Sequence, residues 1–251
     1  MSTLQRYWDA RAALNFILGG AGAGLIVAAA FVQPATPWPI AFGLLLIAAG
    51  LTAVWLETGR KLRALHVLFN PFTSWMTREA FAALVLFPLA LGSFLTLKML
   101  PAAAVAALVF LWCQARILRA ARGIPAWRAP QVVPFIIATG LAEGAGLAVF
   151  FVQTDLAAAL LAIALISRAL AWASYRAELK SEALEHAGRA LQLGGIAALL
   201  LVLASFYFSP AALLAGAVAV ATGWWLKFAL VTRAASTQGF SLPRQPVRGT
   251  R

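Results

Sequence analysis

The sequence predicts an all-α integral membrane protein, a bundle of eight transmembrane helices with both termini cytoplasmic. Three observations predict it. Of the 251 residues, 63% are hydrophobic and 11% charged, whereas soluble domains carry about 45–50% apolar and about 25% charged residues. Apolar runs of about 18 residues or more recur along the whole chain, each long enough to cross a hydrocarbon core about 30 Å thick. Strand alternation is absent, and backbone groups in lipid must find their hydrogen bonds within a helix. No stretch of soluble-domain size is left over, so residues 1–251 read as a single transmembrane domain.

The runs place the spans at about 12–32, 38–56, 79–97, 100–117, 131–152, 155–174, 189–208 and 210–231. The first follows MSTLQRYWDAR and holds the small run Ala28-Ala29-Ala30, which resembles a signal-peptide end. Its length of about 20 residues exceeds a signal core and Asp9 stands in front of it, so it reads as a span. Before span 3, Asn70-Pro71 fits a helix start, with Asn as N-cap and Pro at the first position. Span 4 holds the lone Cys113, expected to act as a small apolar residue. One cysteine excludes an intrachain disulfide and a cluster ligated by four cysteines of this chain. Gly20 and Gly24 in span 1, and Gly140 and Gly144 in span 5, have the spacing that lets helices approach closely in lipid. The segment YRAELKSEALEHAGR, residues 175–189, reads as a continuation of span 6, with Glu185 and Arg189 at i,i+4 spacing. The connections after spans 1, 3, 5 and 7 are short, and those after spans 2, 4 and 6 are longer and polar. The result is four tight helical hairpins. No internal repeat is visible.

Charge sets the orientation. The net charge is +12, and of the 20 Lys and Arg residues all but Lys98 fall on one side of this topology. The positive-inside rule makes that side cytoplasmic. A docking face for an acidic partner is compatible with the same pattern. The positive charges are spread over loops and form no recognition helix, which excludes a nucleic-acid module. Trp38 on one side and Trp224 and Trp225 on the other suit the two interfaces. The two histidines, His66 and His186, both fall in connections. A haem held between facing membrane helices is therefore not expected, nor is a metal site. Any redox cofactor of this chain should be organic or sit in a partner.

Ionisable residues inside a membrane are costly and functional by default. Glu143 lies about 18 Å from the start of span 5, close to the midplane. Burying its charge requires a cation or a proton. A proton-relay or quinone-contacting carboxyl and a structural partner for another helix are both open at this point. Arg168 lies about two turns from the basic end of span 6, where snorkelling to the headgroups and a role as counter-ion or contact to an anionic reduced ligand are both open, while Arg116 and Lys227 lie nearer the boundary, where snorkelling accounts for them. Glu57 closes span 2 beside Arg60 and Lys61, where a boundary carboxyl exchanges protons with water. Asn15 places an amide early in span 1, and Arg78 and Glu79 stand at the start of span 3.

Two stretches and the helix count resemble a known family. LNFILGGAGAGLIV (14–27) is similar to a glycine-rich first helix, and ETGRKLRALHVLFNPFTSWMTREAF (57–81) is similar to a motif. That motif has a short glycine turn, an Arg-Ala pair, an Asn, then a Ser-containing segment ending in Arg-Glu before helix 3. On these features the chain resembles the membrane anchors of polysulfide reductase and dimethyl sulfoxide reductase. The likeness spans most of the chain, and its sharp motif covers about the first eighty residues.

The resemblance implies a role. Such anchors bind quinone, ubiquinone or menaquinone, and carry no haem or iron–sulfur cluster of their own. They hold a ferredoxin-like iron–sulfur subunit that wires to a molybdopterin catalytic subunit. Glu57, His66, Asn15, Glu143 and Arg60 are then expected at the quinone and its proton path. Asn70, Ser74, Trp75, Arg78 and Glu79 are expected on the rim beneath the docked subunit. Aligning Gly59 and Arg63-Ala64 puts Glu57 where the dimethyl sulfoxide reductase anchor has a quinol-associated histidine, a departure that replaces imidazole by carboxyl. With the motif on the basic side, the partner subunits fall on the cytoplasmic face of a bacterial inner membrane. Size and the ending ASTQGFSLPRQPVRG look most like the membrane subunit of phenylacetyl-CoA:acceptor oxidoreductases, with cytoplasm-facing sulfite dehydrogenases next. Substrate chemistry would then take place in another chain. The alternative is a small secondary transporter.

Overall fold

The structure is a computed structural model, and it describes residues 3–4, 8–57, 66–179 and 181–237. Eight helices are long and apolar enough to cross a membrane: α1 Ala10–Val32, α2 Trp38–Glu57, α3 Trp75–Gly92, α4 Leu97–Ala120, α5 Val132–Phe151, α6 Asp155–Glu178, α7 Glu182–Ser205 and α8 Pro210–Arg233. Among the described residues the only strand pairing is a two-residue antiparallel contact of Thr3–Leu4 with Ser236–Thr237.

Two boundaries differ from expectation, each for a local reason. Asn70-Pro71 does not start α3. It begins a turn in which the Asn70 carbonyl accepts from the Ser74 N–H at 3.0 Å. Ser74 is the true N-cap, its hydroxyl accepting from the Thr77 N–H at 3.3 Å. The helix therefore starts four residues earlier than its hydropathy suggests, because Trp75, Thr77, Arg78 and Glu79 dilute the apolar signal. Residues 175–189 are likewise not one helix. The α6 helix ends at Glu178, and a single 3-10 turn at Glu182–Leu184 leads into α7. Leu184 is buried at that break, so the apolar residue anchors a corner that the polar pattern concealed.

The helices form two matching sets of four. In the first, α1 packs on α2 and α4, and α3 packs on α4; in the second, α5 packs on α6 and α8, and α7 packs on α8. The two sets meet chiefly through α1 and α5. These are the most enclosed helices, 78% and 72% buried across their apolar windows, against 28% for α7. A repeat that the sequence did not reveal becomes visible once α1 and α5 are recognised as equivalents. Gly20, Gly24 and Phe31-Val32-Gln33 correspond to Gly140, Gly144 and Phe151-Val152-Gln153 at one constant offset. The glycines explain the contact between the sets. A Cβ on Gly24 would strike the Gly140 carbonyl, and one on Gly144 would strike the Gly24 backbone. With no hydrophobic drive between helices in lipid, such close backbone packing holds them together.

The basic ends of the helices are tied into one layer. Arg11 donates to the Leu56 carbonyl at 3.2 Å, joining the start of α1 to the end of α2. Trp127, in the one-turn helix Pro125–Arg128, donates from Nε1 to the Leu230 carbonyl at 2.9 Å. The Tyr175 hydroxyl donates to the Ala126 carbonyl at 2.7 Å. Trp8 stacks between Phe16 and Trp127. Large exposed side chains such as Leu95, Leu170 and Leu193 lie outside the bundle, where they suit lipid.

Candidate functional site

The site is organised by an irregularity in α1. Residues Asn15–Gly19 wind as a single π-helical turn, a feature that recurs at functional sites. The carbonyls of Asn15 and Phe16, at its start, each accept a side chain from another helix. Gln114 of α4 donates from Nε2 to the Asn15 carbonyl at 2.9 Å. Lys227 of α8 donates from Nζ to the Phe16 carbonyl at 3.0 Å. Two buried polar groups therefore flank one turn; Lys227 holds one glutamate, Glu143, and the Asn15 side chain of the turn itself holds another, Glu79.

On the α4 side, the Asn15 side chain donates from Nδ2 to Glu79 Oε1 at 3.1 Å. Both residues are buried, and Asn15 Oδ1 and Gln114 Oε1 find no hydrogen-bond partner among the described residues. Beside them lies a cavity of about 60 Å³, lined by Asn15, Glu57, Glu79, Trp8, Met76 and Ile117 among others. It has room for a few waters. Three helices thus bring a boundary carboxyl, a buried carboxyl and a buried amide to one space.

On the α8 side, Glu143 Oε2 accepts from Lys227 Nζ at 2.6 Å, with both side chains fully enclosed. Arg168 turns inward and donates to the Ala219 carbonyl at 2.7 Å. Glu143 Oε1 has no hydrogen-bond partner among the described residues. Gly223 leaves the space that Glu143 occupies, since a Cβ there would strike its carboxyl. Snorkelling is therefore corrected for both cations. Lys227 is buried because Glu143 on the neighbouring helix offers a carboxylate partner that the bilayer interior lacks, and Arg168 because the Ala219 carbonyl and the Thr222 hydroxyl of α8 accept from it.

Several placements change. Glu79 is not on a docking rim; it faces inward, because Asn15 lies opposite it across the helix contact. Glu143 does not join Glu57 at the cavity, since its helix directs it to Lys227 instead. His66 is exposed, packs edge-on against Phe69 and does not line the cavity, because residues 66–69 form a short helical turn outside the bundle. Arg60 lies outside the described residues. Asn70 and Ser74 lie in the turn before α3, and Trp75 and Arg78 in its first turn. Arg78 donates to the Pro71 carbonyl at 2.8 Å and the Phe72 carbonyl at 2.7 Å, fastening the turn to α3. The Thr77 hydroxyl donates to the Val67 carbonyl.

Gln114 and Lys227 were missed as site residues. Gln114 is a lone amide in an apolar run, a polar residue placed inside a membrane, and that signal was available. The pairing partner of neither residue is readable from spacing, because each contact joins helices far apart in sequence. Neither a protein-family profile nor a curated protein matches the chain.

Proposed function

We propose that this chain is the membrane anchor and quinone-reactive subunit of a molybdopterin/iron–sulfur oxidoreductase, in a bacterial inner membrane with both termini cytoplasmic. It passes electrons between a partner iron–sulfur subunit and quinone. The observation that carries this reading is the cavity at the basic end, where Glu57, Glu79 and Asn15 converge from three helices. A quinone ring needs hydrogen-bond donors for its carbonyls and a proton carrier on its reduction, and an amide beside two carboxyls supplies both. A ring entering the cavity moves Met76, a flexible and exposed side chain. Asn70, Ser74, Trp75 and Arg78 form the nearby rim on which the iron–sulfur subunit sits. The complex oxidises a cytoplasmic substrate, phenylacetyl-CoA-like first and sulfite next, in its molybdopterin subunit.

The test is purification of the chain from its native membrane in mild detergent, with mass spectrometry of co-purifying proteins and quinone extraction. Stoichiometric iron–sulfur and molybdopterin subunits with bound quinone are expected. Folded protein that emerges alone and free of quinone overturns the reading.

A second reading, a small secondary transporter, is favoured by the two matching four-helix sets and the enclosed Glu143–Lys227 pair. Repeats with a binding site between helices near the midplane suit alternating access. Solute uptake by vesicles containing this chain alone would favour it.

A further inference from the structure

A cleft of about 870 Å³ opens at the basic end, lined by Arg116, Arg119, Arg122 and Arg128, with Trp75 and a single carboxylate, Glu178, in its wall. Sidedness of charge requires only that arginines lie on one side of the membrane. Here four converge on one space. One of them is also held in place: the Arg116 guanidinium lies 4.4 Å from the Trp75 ring and 5.7 Å from the Trp112 ring. The Arg78 guanidinium, 4.2 Å from the same Trp75 ring, fixes the indole from its own helix. Among the described residues, Arg116, Arg119 and Arg122 pair with no carboxylate. Guanidinium groups held on aromatic rings are prepaid in conformational entropy, and their planar donors match phosphate oxygens.

We infer that this cleft binds the phosphate headgroup of an anionic phospholipid. Depth favours a lipid over a soluble partner. The 24-residue α4 is about 36 Å long, against a hydrocarbon core of about 30 Å, so its last turn enters the headgroup layer. Arg119 lies in that turn, and Arg116, just before it, reaches the same layer along its aliphatic stem. Trp112, exposed on the same helix, presents an interfacial aromatic to the bilayer. The lipid closes the gap over α4 and the Pro125–Arg128 turn, while Glu178 disfavours a second anion on that wall. The inference rests on the chain spanning a membrane and is independent of any quinone or partner subunit.

The test uses the purified full chain, stripped of lipid in a zwitterionic detergent. Native mass spectrometry and thermal melting are followed with cardiolipin, phosphatidylglycerol, phosphatidylcholine and free pyrophosphate as probes. The anionic lipids are expected to be retained and to raise the melting temperature, with phosphatidylcholine at least about tenfold weaker. Arg119→Gln with Arg122→Gln removes two charges without touching the tryptophan stack, and weakens retention by about thirtyfold. Arg116→Gln acts in the same direction, and Arg189→Gln, outside the cleft, leaves retention unchanged. Equal retention of phosphatidylcholine, or anionic-lipid preference that survives the double substitution, overturns the inference. So does stabilisation by pyrophosphate with none from either anionic lipid. An acidic protein that co-purifies with the wild-type chain in place of lipid, and is lost from the double variant, also overturns it.

Discussion

The two four-helix sets share an architecture and differ in their polar chemistry. In the first, Glu79 meets amides, Asn15 directly and Gln114 through the Asn15 carbonyl, beside a small cavity. In the second, Glu143 meets a cation, Lys227, with Arg168 nearby. Both sides borrow a carbonyl from the same π-helical turn of α1. The difference separates two uses of a buried carboxyl. Amides leave its charge uncompensated and its environment open to a ligand or a proton. A lysine compensates it. The same helix arrangement thus holds an amide-bound carboxyl in one half, the half proposed as reactive, and a lysine-paired one in the other.

Breaking the lysine-paired half should have the largest effect. Lys227→Met strands Glu143 without a cation, and a loss of about 3–5 kcal/mol is expected from thermal or denaturant unfolding in detergent. Adding Glu143→Gln should recover most of that loss; a double variant no better than the single one would show that the pair is not what Lys227 stabilises. Next comes the reactive half. Glu79→Gln keeps the shape and most hydrogen bonding but removes the exchangeable carboxyl. Quinone turnover by the assembled complex is expected to fall about a hundredfold, with melting little changed, and Glu57→Gln should act in the same direction. A variant that melts early with normal turnover would make Glu79 a structural residue.

The seam between the halves ranks third. Gly144→Ala pushes a methyl into the Gly24 backbone, which cannot move aside as a side chain would. A destabilisation of about 1–3 kcal/mol is expected, while Gly123→Ala, with open space around it, should cost far less. The smallest effect belongs to His66→Ala. That side chain is exposed and away from the cavity, so turnover should stay within about twofold. A larger loss would return His66 to the proton path.

Much of the bundle is legible in the amino-acid order. Span number follows from hydropathy because a bilayer demands long apolar helices, and that demand is local. The closeness of Gly20 and Gly24 to another helix is legible for the same reason, since a small residue every fourth position has one obvious use in lipid. The candidate carboxyls Glu57 and Glu143, and the amide Asn15, stand out because polar residues in apolar runs are costly. Their partners do not. Asn15 reaches Glu79, Gln114 reaches Asn15, and Lys227 reaches Glu143 across helices far apart in the chain. No periodicity records which helix lies beside which.

Tertiary structure alone decided that Glu79 turns inward, that Lys227 abandons the headgroups for a carboxylate and Arg168 for a carbonyl and a hydroxyl of α8, and that His66 stands apart. It also decided that α1 and α5 are counterparts. The sequence by itself determined how many helices enter the membrane and which of them carry charge. Packing determined where each charge finds its partner, because in a low-dielectric interior an ion must be paired, and pairing is a property of neighbours in space.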